Sequence, residues 1–153
     1  MNIEYVKTNL QKSEKTKGLA FSIGVPASVD LIKNTENRLG LKFPSQVSLF
    51  YENYNGLHVE QPFLKILNLE NLDLVNKGIH FATLGNEHHL HFDVSSLNAA
   101  DQWDIISEDG HIVTLTFASF WTNKLFAWID WQRPIWKPDF WKFGEGRSSD
   151  YES

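Results

Sequence analysis

The chain predicts an α+β fold: a single domain in which N-terminal helices and a helix near the C-terminus pack on a mostly antiparallel (mixed) β-sheet. Three observations predict it. Residues 25–56 hold two consecutive runs of apolar residues at helical period, residues 63–116 change to a period of two, and residues 117–131 return to a helical pattern. A length of 153 residues with 42% hydrophobic content supports one well-packed domain and is small for two. The domain is expected over residues 1–143, followed by a polar tail at 144–153 with too little apolar content to order itself.

Taken in order, residues 2–13 carry Ile3, Val6 and Leu10 among polar residues, the pattern of a surface helix resting one edge on the core. The next helix opens at Ser28, whose hydroxyl can accept an orphan N–H of the first turn, with Asp30 placing negative charge near the positive helix end. Val29, Ile32, Glu36 and Leu39 then form one stripe, and Gly40 supplies a left-handed stop. A carboxylate thus sits in an apolar row. The third helix starts at Ser45 after Pro44, repeats its stripe at Val47, Phe50, Tyr51 and Tyr54, and ends at Asn55-Gly56.

Five strands follow, at Phe63 to Leu67, Ile79 to Leu84, His88 to Val94, Trp103 to Ser107 and His111 to Thr116. Asp109-Gly110 predicts a type I′ turn joining the last two, because both central positions of that turn need positive φ. Between the first two strands, Leu69, Leu72 and Val75 predict a short helix ended by Gly78. Phe117, Phe120, Trp121, Leu125 and Trp128 share one helical face, with Ser119 as the expected cap, and Pro134 and Pro138 then break regularity in the tryptophan-rich stretch QRPIWKPDFWKF.

The stretch VPASVDLIKNTENRLGLKFPSQVSLFYENYNG resembles the opening of the SUKH superfamily, the Smi/Knr-type domain. The matching residues are Pro26, Ala27 and Ser28, Glu36, Leu39 and Gly40, Pro44, Tyr51, and Asn55 with Gly56; Phe43 stands where the family normally has Leu. IHFATLGNEHHLHFD from Ile79 to Asp93 and TFASF from Thr116 to Phe120 look like later family segments, so the motif-matched core covers about residues 25–131. The resemblance implies a non-catalytic binding protein, since stand-alone bacterial members are commonly immunity proteins that neutralise a toxin, often a nuclease, by tight association. The alternative it implies is an interaction scaffold, as in the fungal cell-wall-regulatory members.

Composition bounds the chemistry. The formal net charge of −5 disfavours direct nucleic-acid binding, which draws its affinity from clustered Lys and Arg, and favours a basic protein partner. No cysteine is present, so a disulfide framework, a thiolate metal site and a Cys nucleophile are excluded. The N-terminal residues lack an apolar signal core and no segment approaches the roughly 20 apolar residues of a membrane span, so a cytoplasmic protein is expected. No phosphate loop, nucleophile elbow or His-Glu-x-x-His occurs, and neither catalytic residues nor a cofactor are expected.

Strand alternation sends His89, His91 and Asp93 to the same side, away from Leu90 and Phe92, which makes them the candidate metal set; a solvated strand face is the favoured reading. Glu36 is expected to act as a structural anchor, its carboxylate accepting backbone N–H groups near the turn between the two helices. Asp101, Asp104, Glu108, Trp136 and Trp141 are the candidate partner-contacting residues, acids for steering and aromatics for slow dissociation. The segment holding the two tryptophans reads equally well as a lid folded over the sheet.

Overall fold

The computed structural model describes residues 2–138; the expected tail at 144–153 and Trp141 lie outside the described residues. Helix α1 (Glu4–Lys17) runs past its expected end to Gly18, whose φ of 71° closes it. Strand β1 (Phe21–Ile23) precedes helices α2 (Val29–Leu39) and α3 (Ser45–Asn53). Strands β2 (Leu57–Val59), β3 (Leu64–Ile66), β4 (Leu74–Val75), β5 (Gly78–Leu84), β6 (His88–Asp93), β7 (Asp104–Ser107) and β8 (Ile112–Thr114) complete the sheet. Its order is β1-β2-β3-β5-β6-β7-β8, with β4 pairing β5 beside β3, and every pairing is antiparallel. The fold is α+β.

The C-terminal helical region comprises α4 (Phe117–Ser119), a π-helical turn over Phe120–Lys124 and α5 (Leu125–Trp131). Its cap is Thr116 rather than the expected Ser119, the Thr116 hydroxyl accepting the Ser119 N–H at 3.0 Å. The helices lie on one face of the sheet and share an aromatic core with it. Phe81 and Phe92 stack at 4.0 Å between neighbouring strands, Phe117 meets both edge-on at 5.4 and 5.3 Å, and Phe50 of α3 lies 4.8 Å from Phe117. Such ring pairs add to the burial of their area. Helix α1 forms an outer layer: its Val6 and Leu10 are buried, Ser13 donates to Asp130 at 2.9 Å, and Tyr5 meets Phe126 edge-on.

Helix α2 is capped as expected, the Ser28 hydroxyl accepting the Leu31 N–H at 3.0 Å, and Gly40 at φ 74° stops it. Its buried row, however, is Ile32, Thr35 and Leu39; Val29 is 70% exposed, because a helix-opening residue here projects beyond the edge of the core. Glu36 Oε2 accepts the Phe43 N–H at 2.7 Å, while the Glu36 carbonyl accepts from Gly40 and Leu41 at 2.8 and 3.1 Å. One residue therefore holds both ends of the α2–α3 turn.

Two expected elements differ. Residues 69–78 do not form a single short helix: a 3₁₀ turn over Leu69–Asn71 leads into β4, with Leu69 and Leu72 buried and Val75 65% exposed. The carbonyls that a longer helix would bond are taken by the Arg38 guanidinium, which donates to Leu72 at 2.8 Å and Leu69 at 3.0 Å. The β7–β8 hairpin is not a two-residue type I′ turn. Ser107 N–H bonds the His111 carbonyl across a three-residue loop, and Gly110 at φ 85° is its only left-handed position, so Asp109 is spared the strained φ.

Replacing Glu36 with Ala should cost about 1–3 kcal/mol in denaturant unfolding, the penalty for stranding the Phe43 donor. Glu36→Gln, which keeps an acceptor oxygen, should lose less; equal stability of the Ala variant and the parent would remove the anchor role.

Candidate functional site

The sheet face opposite the helices carries the polar residues that alternation sends outward. A register shift between His80 and Ala82 adds one residue to β5, so that Phe81 and Ala82 are both buried while His80 and Thr83 both face out. Without that bulge, His80 would share a face with the buried Leu84. The bulge sets His80 directly across from His91 and Thr83 across from His89. His80 is the residue that sequence reasoning missed, because a bulge leaves no periodic mark in so short a strand.

The imidazoles form a local network. His80 Nε2 lies 3.0 Å from the Ala82 carbonyl, 2.9 Å from the Thr83 hydroxyl and 3.1 Å from His89 Nδ1. A carbonyl only accepts, so His80 carries its proton on Nε2. His89 Nδ1 is then an acceptor, with the Thr83 hydroxyl donating to it at 3.0 Å. Burial, followed by the neighbouring imidazoles of His89 and His91, pushes the His80 pKa below the usual histidine range. Burial also lowers that of His91, with His89 adding to the effect and Glu108 opposing it.

Beside this network lies a groove of about 370 Å³. Its floor is His91 and Ile106, a cross-strand pair of β6 and β7; one wall is the β4–β5 turn with Val75 and Lys77, and Asp93 and Glu108 stand towards its two ends. Asp93 pairs across strands with Asp104. Each carboxylate bonds a neutral donor: Asp93 accepts from Ser95 N–H and Oγ at 3.1 and 2.7 Å, Asp104 from Asn98 Nδ2 at 2.8 Å, and Glu108 from the His89 N–H at 3.3 Å.

The candidate metal set is thus only partly assembled. His89, His91 and Asp93 do share the outer face, but Asp93 turns to Ser95 and His89 Nδ1 to His80 and Thr83. Among the described residues, no group of three or more His, Cys, Asp or Glu side chains is arranged to hold a metal ion. Of the acids singled out for partner contact, Asp104 and Glu108 lie on or beside this face, whereas Asp101 sits exposed in the 98–102 loop at φ 58°. The structure brings two of the three together.

Trp136 is half-buried. Its ring stacks on His88 at 3.9 Å and meets Trp128 edge-on at 5.4 Å, and Ile135 before it is fully buried. Trp128 in turn donates its indole N–H to the Phe63 carbonyl at 2.9 Å. As far as Pro138 the segment therefore folds back over the β5–β6 turn as a lid, and Trp136 still lines a cavity of about 190 Å³ with His89 and Glu108.

No family model matches the chain, and no curated protein is significantly similar to it. Among the described residues, no helix is long and apolar enough to cross a membrane.

The depressed pKa values of His80 and His91 predict a pH dependence of stability. Between their folded values and the ordinary value of 6.5, the unfolded chain binds more protons than the native one. Stability from this source is complete above that ordinary value and falls as pH drops through the window. Denaturant unfolding at pH 7.5 and pH 5 should show the loss, and a His80→Gln, His91→Gln variant should show a smaller one. Trp136→Ala should cost about 2 kcal/mol through lost apolar burial; an unchanged thermal midpoint would mean that the lid contributes nothing to the fold.

Proposed function

We propose that this chain is a non-catalytic binding protein of the immunity type, which neutralises a cognate bacterial toxin domain by tight association. The observation that carries the reading is the face of the eight-stranded sheet that no helix among the described residues covers, where apolar, histidine and acidic side chains are held on a rigid scaffold around a groove. The resemblance to the SUKH superfamily between residues 25 and 131 supports the same role. Glu36 supports it too, because the family-matching carboxylate closes the turn between the family-matching helices. Occlusion needs a stable, preformed surface rather than a reactive group, and a strand face supplies one at little ordering cost. The formal charge of −5 suits a basic toxin, such as a nuclease domain whose cleft is positive, since opposite potentials speed encounter.

The test is co-expression with the toxin domain encoded beside this chain's gene. Cells should survive the toxin only when the chain is present, and the two purified proteins should form a one-to-one complex of about nanomolar affinity or tighter. Failure of every neighbouring toxin domain to bind would overturn the reading and leave the interaction-scaffold alternative.

A further inference from the structure

The groove on the open sheet face carries acidic charges that form no ion pair among the described residues. The ion pairs among the described residues are Lys17–Asp130 and Arg38–Asp73, both away from it. Among the described residues, Asp93, Asp104 and Glu108 bond only neutral donors, and Asp93 stands directly opposite Asp104, a like-charge pair that costs stability in a sheet. Between the acids the floor is uncharged, formed by Ile106 and His91; Val75, 65% exposed, forms part of the rim, and Lys77 stands on the wall.

A long side chain with an alkyl stem and a cationic head matches this distribution. Its methylenes would lie on Ile106 and Val75, removing that surface from water, while its head would reach a carboxylate at either end. We propose that this groove is the docking surface for a basic partner, which lays a Lys or Arg side chain along Ile106 and pairs it with Asp93 or Glu108. The inference rests on the binding role proposed above and adds the location and the chemistry of the contact. His91 between the two acids reinforces the match in its neutral form, because it leaves the local field negative. Among the described lining residues Lys77, on the wall, is the one opposing charge, and removing it should help the partner rather than hinder it.

The amide variant Asp93→Asn, Glu108→Gln tests this with little structural disturbance, since each amide retains the oxygen that accepts from Ser95 or the His89 N–H. Association with a catalytically inactivated form of the neighbouring toxin domain is followed by stopped flow at increasing NaCl. The wild-type rate should fall with salt. The amide variant should associate at least about tenfold more slowly at low salt, with most of the salt dependence gone and its thermal midpoint no lower than wild type's, since the repulsion between Asp93 and Asp104 is relieved. Lys77→Glu should associate faster than wild type, a gain that misfolding cannot produce.

If the toxin binds wild type and both variants at the same rates, the docking site is elsewhere and the binding role stands. If it binds no form at all, the binding role falls and this inference with it. Self-association of wild type in analytical ultracentrifugation, abolished by the amide variant, would make the occupant a second copy and overturn the proposal of a basic partner.

Discussion

The extra residue in β5 sets both faces of the sheet. Because the register slips between His80 and Ala82, Phe81 and Ala82 both enter the core, and everything beyond them changes sides. Inside, Phe81 becomes the partner of Phe92 and the platform on which Phe117 and Phe120 rest, at 5.4 and 5.7 Å. Outside, His80 and Thr83 come to the same surface and hold His89 between them. A strand without the bulge would have to bury His80 or expose Leu84. The platform under the C-terminal helical region and the histidine network therefore meet at one backbone irregularity, which ties the site to the most buried part of the molecule.

The helical layer is anchored to that core by polar side chains acting on backbone groups. Gln46 of α3 accepts the Ala118 N–H at 2.7 Å and so serves the first turn of α4, while Gln102 accepts the Gln46 N–H and donates to Ser45 at 3.0 Å, serving the start of α3. Asn55 accepts the Leu69 N–H at 2.8 Å, and Tyr51, fully buried, donates to the Leu67 carbonyl at 2.7 Å. Burial raises the Tyr51 pKa far above its ordinary value, so its hydroxyl remains a donor throughout the accessible pH range. Bonds of this kind fill the unmet groups at helix ends and in connecting turns. They fix angles between elements that apolar packing alone would leave loose.

What was legible in the sequence follows from the range of the forces involved. Ser28, Gly40 and the alternation of β6 are read correctly because a cap, a left-handed stop and a period of two are properties of adjacent residues. The Glu36 carboxylate could be placed near its turn because its partner is seven residues away. Strands β1 and β2 were not legible, since three residues carry no measurable period. The 3₁₀ turn at Leu69 depends on Arg38, 31 residues earlier, and the rotation of Val29 out of the core depends on where α2 meets its neighbours. The candidate groove was the least legible feature. Val75, His91 and Ile106 belong to three chain segments, and only strand pairing brings them together.

On the outer face, stability is set against the binding role proposed above. A sheet surface optimised for the monomer would place opposite charges across β6 and β7, whereas Asp93 faces Asp104. It would also cover Val75 and Ile112, which remain 65% and 39% exposed. Each departure is small, and the hydrogen bonds from Ser95 and Asn98 hold the carboxylates in place without neutralising them. The core, with rings from four aromatic-bearing elements in mutual contact, can carry such costs. A rigid surface whose negative charge and apolar area find no complement among the described residues would gain most from the proposed partner if it supplied both components at once. Electrostatic attraction then governs the rate of encounter, and apolar burial governs how long the complex lasts.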